Sequence, residues 1–221
     1  MRVMKFLFKF AVYFVLITVA WVGIYAFVPP PITATMIMDE NGVTKDWTSF
    51  SDISPNMARA VIAAEDSKFC SHNGFDTEAI QKAIERNAQG GRIRGGSTIS
   101  QQVAKNAFLW QGGGFFRKGL EAYFTFLIET IWSKKRIMEV YLNIAETGIG
   151  TYGVQAGAQR YFNKDAKDLT RTEAARIAAA LPLPKKRAVN GASGFTARYG
   201  NTIAARINVV RNEKLDSCIY K

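Results

Sequence analysis

Apolar residues run unbroken from residue 10 to residue 28, nineteen positions without a charge. At about 1.5 Å per residue, a helix of that length spans roughly 28 Å, close to the hydrocarbon thickness of a bilayer. Arg2, Lys5 and Lys9 precede the run, and Pro29, Pro30 and Pro31 follow it. The positive flank predicts a cytoplasmic N-terminus, with the body of the chain on the far side of the membrane. A cleaved signal peptide is the alternative. Its apolar core is normally about 7–15 residues and ends at a small-x-small site. The run here is longer, and Tyr25, Ala26, Phe27 and Val28 offer no such site, which favours an uncleaved anchor.

Beyond the prolines the pattern changes. Residues 33–38 read as a short strand and 39–42 as a turn. After that, helical periodicity dominates. Ser54 can cap, and Pro55 suits the first position of, a helix in which Met57, Ala60, Val61 and Ala64 recur at helical spacing, bringing Glu65 to its end. Thr77 opens a helix to about residue 87, and Ser97 opens one to about residue 109. Residues 117–132 and 134–146 are strongly helical. Thr170 and Glu173 form a capping box for another helix, ended by Pro182 and Pro184, and a last helix covers about 195–215. The glycine-rich basic stretch 89–96 reads as a mobile loop, and 111–114 and 148–153 as further loops. The expectation is a mainly α chain: a cytoplasmic N-terminus at 1–9, a transmembrane helix at 10–28, a linker with a short extended segment at 29–52, and one helical domain at 53–221.

Charge narrows the partners. The formal net charge is +11; without Arg2, Lys5 and Lys9 the body keeps 26 cations against 18 anions, or +8. A basic body tethered to a membrane implies anionic lipid, phosphate or polyanion partners. Nucleic acid would suit the charge, but no nucleic-acid motif is present. One histidine rules out a two-histidine metal site, and two cysteines argue against structural zinc. Cys70 and Cys218 could pair outside the cytoplasm, but sequence does not place them together.

Four segments could carry chemistry. Residues 65–76 put Glu65, Asp66, Phe69, the single histidine His72 and Gly74 into one turn at a helix end. A carboxylate held against an apolar wall is a common way to build an acid or base; the plainer reading is a solvated helix end. Residues 96–106 open a helix from a glycine turn, where free N–H groups favour anions. Thr98, Gln102, Lys105 and Asn106 can share one face of it, suited to phosphate or sugar, or simply to solvent. Arg117 and Glu121 are an i,i+4 pair, with Lys118 beside them; as a surface ion pair it would contribute about 0.3–0.5 kcal/mol. Residues 134–143 read as mainly structural. Phe108, Leu109, Trp110, Phe115 and Phe116 flank a glycine triplet, an odd core segment but a plausible apolar loop at a membrane surface.

Together these segments resemble the glycosyltransferase domain of the peptidoglycan glycosyltransferases (family 51). That family shows Glu-Asp-x-x-Phe-x-x-His-x-Gly, met by residues 65–74. It shows Gly-x-Ser-Thr-x-x-Gln-Gln followed by Lys-Asn, met by residues 95–102 and then Lys105 and Asn106. Its Arg-Lys-x-x-Glu is met by residues 117–121. Its Lys-x-x-Ile-Leu-Glu-x-Tyr-Leu-Asn is met by 134–143, with Met138 in place of leucine. The resemblance covers about residues 53–190 and is closest to the single-domain, monofunctional members, since no Ser-x-x-Lys or Lys-Thr-Gly supports a transpeptidase domain. Leu183 stands where the family often has asparagine.

The resemblance implies a lysozyme-like helical fold in the bacterial cytoplasmic membrane, with its catalytic domain outside the cytoplasm. It implies polymerisation of lipid II into β-1,4 glycan strands, with inversion and release of undecaprenyl pyrophosphate. In those terms Glu65 is the general base and Glu121 the second essential carboxylate. Asp66, Phe69, His72, Thr98, Gln102 and Asn106 shape the substrate cleft, and Lys105, Arg117 and Lys118 face the pyrophosphate. A divalent cation, magnesium or manganese, at the pyrophosphate is compatible with this and not required by it. Other cell-wall synthesis or division proteins are compatible partners. Two rivals come from other classes: a hydrolase or lytic transglycosylase using Glu65 as an acid, and an inactive membrane-anchored scaffold.

Overall fold

A computed structural model describes residues 1–88 and 96–220. The expected loop at 89–96 therefore lies, apart from Gly96, outside the described residues. Ten α-helices and three very short strands are present among those described. In chain order they are α1 (Arg2–Tyr25), α2 (Ala34–Ile37), β1 (Thr44–Lys45), α3 (Pro55–Glu65), α4 (Thr77–Ala88), α5 (Ile99–Phe108), α6 (Gly114–Ile131), α7 (Lys134–Ile144), β2 (Glu146–Gly148), β3 (Thr151–Tyr152), α8 (Val154–Phe162), α9 (Arg171–Ala180) and α10 (Gly194–Asn212).

Two helix groups make the core. In one, α3, α9 and α10 all pack against one another. α3 buries Ala58, Ala60 and Ala63, and α9 buries Ala174, Ala175 and Ala178–Ala180; such small side chains let helix backbones approach closely. In the other, α5 packs against α6 and α7, burying Ile99, Val103, Phe124, Ile128, Ile137 and Met138. Glu65 ends α3 and Gln102 lies on α5, so the site forms where the groups meet.

The apolar N-terminal stretch lies within α1, which is long and apolar enough to cross a membrane. Its contacts with the body begin at Phe14, whose ring lies 5.6 Å from that of Tyr123. Val22 is fully buried, Thr18 shares a hydrogen bond with the Tyr123 hydroxyl at 2.7 Å, and the Trp21 ring meets Phe108 edge-on at 5.2 Å. Helix ends leave carbonyls without intrahelical partners. Here Trp132 Nε1 donates to the Val22 carbonyl at 2.9 Å, and Arg136 donates to those of Tyr25 and Val28. The end of α1 is thus gripped by α6 and α7 rather than hung on a free linker.

Local chemistry explains where the structure departs from expectation. The segment read as a strand at 33–38 holds the single turn α2, because the Thr33 hydroxyl accepts from the Met36 N–H and caps it. Pro55 does take the first turn of α3, but Ser54 donates to the Leu169 carbonyl instead of capping. The cap of α4 is Asp76, which accepts from the Ala79 N–H. The cap of α5 is Thr98, in a capping box with Gln101, rather than Ser97. The capping box of α9 is present. The loop at 148–153 belongs to a small hairpin, β2 antiparallel to β3, with β1 parallel to β3 on its other side. Strands of two or three residues are too short to show alternation.

Cys70 and Cys218 form a disulfide across 148 residues, beside the Arg59–Asp216 ion pair at 2.7 Å and the Phe50–Tyr220 ring contact. Together they fasten the C-terminal segment to the turn that follows Glu65. Replacing both cysteines by serine is expected to cost about 2–4 kcal/mol of stability, read from the urea midpoint of the full chain in detergent; an unchanged midpoint would contradict a stabilising role.

Candidate active site

The turn after α3 is built on a buried carboxylate. Asp66 accepts from the Ile99 N–H at the start of α5 at 3.1 Å and faces His72 Nε2 at 3.0 and 3.1 Å. The Gly74 N–H donates to His72 Nδ1, which assigns the ring proton that meets Asp66 to Nε2. Gly74 adopts φ +86°, and a Cβ there would come within 2.6 Å of the Thr125 methyl, so the turn demands glycine. The Thr98 hydroxyl donates to the Gly74 carbonyl at 2.7 Å. Lys134, opening α7, donates to the His72 carbonyl and to Glu129, and lies over the Phe69 ring.

Asp66, Phe69, His72 and Thr98 are therefore brought together largely as the foundation of the cleft. Phe69 is fully buried in the core and has no face toward a substrate, unlike the lining role the resemblance implied; its ring is the floor under Lys134. Asp66 and Thr98 still reach the wall of a small cavity of about 180 Å³ that also contains Glu65, Asp76 and Ser97.

Glu65 sits on this foundation. Gln102 Nε2 donates to its carboxylate at 2.8 Å, and the buried Tyr141 hydroxyl lies 3.4 Å from Gln102 Oε1, which turns the amide nitrogen toward Glu65. Burial pushes the Glu65 carboxyl above its ordinary range. The Gln102 hydrogen bond, Arg187 and Lys105 oppose the shift, and Asp66 adds to it. Gln102 in turn lines a larger cavity of about 450 Å³, together with Lys105, Asn106, Tyr141, Glu146 and Lys185. The Glu65–Gln102 bond thus links two cavities.

The Arg117–Glu121 pair is not the surface ion pair that spacing alone suggests. Glu121 is 2% exposed. Arg117 Nη1 meets one of its oxygens at 2.6 Å and Lys118 the other. Lys118 also reaches the Ser97 hydroxyl at 3.3 Å. Lys105 lies in the same field: burial pushes its ammonium down, Glu121 pulls it back up, and Arg117 and Lys118 push it down again. Three cations around one buried carboxylate leave positive charge in excess, the electrostatics of an anion site. Asn106 stands beside it, 3.5 Å from Gln111 Nε2.

Several wall residues lie outside the four motif segments. Asp39 is held well below the usual carboxylate range by hydrogen bonds from Tyr152 and Lys185. Glu146, pushed up by burial, has one buried oxygen without a hydrogen-bond partner, 3.7 Å from Lys185. Arg187 exerts the largest charge effect on Glu65; its only hint was the basic run 185–187 after Pro184. In the aromatic loop, Phe108 and Leu109 are core residues, Phe108 stacking on Phe124 at 4.8 Å, because α5 ends facing α6 and Trp21. Trp110 is partly exposed, whereas Phe115 is 98% and Phe116 73% exposed.

Among the described residues no three His, Cys, Asp or Glu side chains cluster as metal ligands. Both Glu121 oxygens already face cations, so this donor set does not fit a protein-held divalent ion.

A family profile described as Transglycosylase matches residues 32–211. Proteins named biosynthetic peptidoglycan transglycosylase are similar over most of their length. One from Caulobacter vibrioides is 51% identical, covering 89% of this chain and 87% of its own. One from Pseudomonas aeruginosa is 49% identical, covering 81% and 82%. One from Mannheimia succiniciproducens is 52% identical, covering 80% and 76%. A buried carboxylate facing a cation-rich cleft and a family match across the whole helical body agree: the chain belongs to the transglycosylase family, enzymes that transfer glycosyl units on a lysozyme-like helical fold.

Proposed function

We propose that this chain polymerises lipid II into peptidoglycan glycan strands, with Glu65 as general base. The observation that carries the reading is the Glu65 carboxylate hydrogen-bonded to Gln102, on the helix that also presents Lys105 to the Arg117–Lys118–Glu121 cluster. The 4-hydroxyl of one lipid II attacks the anomeric carbon of the growing chain. The new C–O bond forms as the bond to pyrophosphate breaks, the hydroxyl proton passes to Glu65, and undecaprenyl pyrophosphate leaves as an anion with inversion from α to β. A pyrophosphate leaving group needs counter-charge more than a proton, and Lys105, Arg117 and Lys118 supply it while Glu121 keeps them in register. No step is routed through a metal ion.

The membrane fits the same reading. Phe115, Phe116 and Phe126 are exposed on α6, the helix that grips α1, so anchor and aromatic face would enter one bilayer around a substrate whose tail stays in it. The three N-terminal cations favour an N-terminus in the cytoplasm, with the domain outside the cytoplasmic membrane. Proteins of cell-wall synthesis or division are the compatible partners. A raised Glu65 also suits a glycan-cutting acid, but a hydrolase has no use for three cations on one carboxylate.

Because the folded state binds the Glu65 proton more tightly than the ordinary value of 4.5, stability falls as pH rises from that value through the raised one. Glu65→Gln removes this loss. It is expected to cut lipid II polymerisation by at least ~10²-fold while melting no lower than the parent at neutral pH; an active variant, or one that melts lower, would contradict the assignment.

Arg117→Ala would leave a buried carboxylate short of a partner, at about 3–5 kcal/mol, and so tests the fold more than the chemistry. Lys118 is 45% exposed in its side chain, and Arg117 still covers Glu121 in its absence. Lys118→Met is expected to lower kcat/KM on lipid II at least about tenfold, or ~1.4 kcal/mol, with stability within about 1 kcal/mol. Full activity in that variant would remove Lys118 from the anion site.

A further inference from the structure

The excess positive charge of the body is not spread over its surface. Residues 171–214, from the start of α9 to just beyond α10, hold nine lysines and arginines against two glutamates, so they carry +7 of the body's +8. One of the two, Glu173, is already held by Lys164 at 2.7 Å. Arg171 and Arg176 on α9, and Arg198 and Arg211 on α10, are exposed and, among the described residues, in no ion pair. The two helices pack on each other. Like charges gathered in this way repel, and an anionic ligand relieves the repulsion.

A cavity of about 290 Å³ lies between them, away from Glu65. Thr172 and Arg176 line it from α9, Thr196 and Asn201 from α10, and Val189 and Gly191 from the connecting loop. Among the described residues, none of the four polar side chains has a hydrogen-bond partner. One guanidinium, two hydroxyls and an amide thus offer free donors to one space, which suits an anion. The volume is at the lower end for small-ligand pockets, the scale of a peptide end rather than a polymer. Position narrows the choice of acid. Lys185 lines the larger cavity beside Gln102 and Lys105, and Val189 lines this one. Four steps of chain separate those two residues, at most about 14 Å, so a strand made in the cleft has the second cavity within reach. Lipid head groups fit less well, because α9 and α10 pack on α3 whereas α1 packs on α6.

We propose that the α9–α10 cavity binds the carboxylate end of a peptide carried by the glycan product, with Arg176 as counter-charge and Thr172, Thr196 and Asn201 as hydrogen-bond donors. This rests on the reading of the chain as a lipid II polymerase, whose product keeps the peptides of lipid II. The surrounding cations draw the anionic strand to this face, and the cavity fixes one of its peptide ends, so the product stays with the enzyme at a place other than the cleft.

The test is titration of full-length protein in detergent with uncross-linked glycan strands isolated from sacculi, once with their peptides and once after an amidase has removed them. Parent, Arg176→Glu and Arg176→Lys are compared, and polymerisation of lipid II by the parent is measured on the same preparation. The parent is expected to prefer peptide-bearing strands. Arg176→Glu is expected to weaken their binding at least about tenfold and to bind stripped strands as the parent does, while Arg176→Lys retains the preference. Should Arg176→Glu not fold, Thr196→Val, which removes one donor, is expected to weaken peptide-bearing strands about threefold. Equal affinity of parent and Arg176→Glu for peptide-bearing strands, in a parent that polymerises lipid II, overturns this site alone. Equal weakening on stripped strands overturns the carboxylate as the group recognised. Loss of binding only to phosphatidylglycerol vesicles, with strands bound as before, would assign the face to lipid instead. A parent that makes no strands from lipid II overturns the reading on which the inference rests.

Discussion

The hydrogen bond from the Ile99 N–H to Asp66 is the constraint on which the site depends. It ties the end of α3 to the start of α5, and these helices belong to different packing groups. Without it, nothing obliges Glu65 to face Gln102. His72 and Gly74 complete the lock from one side, and Thr98 from the other. An aspartate at a helix N-terminus is favourable in any protein. Here its partner helix also carries Gln102 and Lys105, so a capping interaction sets the geometry of the candidate site.

The two glutamates illustrate how environment divides labour between identical groups. Glu65 is half-buried with one amide and more distant cations, and desolvation wins, raising its affinity for a proton. Glu121 is more deeply buried, yet meets a guanidinium and an ammonium directly. A group that must accept a proton benefits from the first setting. A group that must hold cations at a fixed spacing needs the second. Helix α1 adds a geometric condition: because Trp132 and Arg136 hold its end, a membrane-spanning α1 would hold the cleft at a distance from the bilayer set by the fold.

Much of this was legible in the chain. The long helices showed in their apolar spacing, and Glu65, Gln102, Lys105, Arg117, Lys118 and Glu121 were marked by residue type at helical intervals. Spacing could not tell that Arg117–Glu121 is buried, since an i,i+4 pair looks the same on any face. Thr33 reads as β-forming until its hydroxyl finds the Met36 N–H. Phe108 and Phe115 look alike in sequence, yet one closes a core against Trp21 and the other is bare. Arg187, Glu146 and Asp39 reach the cleft from segments distant in sequence, and only tertiary folding brings them in. The disulfide likewise joins positions 148 residues apart.

In the proposed reading, the carboxylate that could cut a glycan strand builds one instead. Incubating the full-length protein separately with lipid II and with isolated sacculi tests it most directly. Glycan strands and undecaprenyl pyrophosphate are expected from lipid II, and no soluble fragments from sacculi. Release of muropeptides from sacculi, with lipid II left unconsumed, would contradict it.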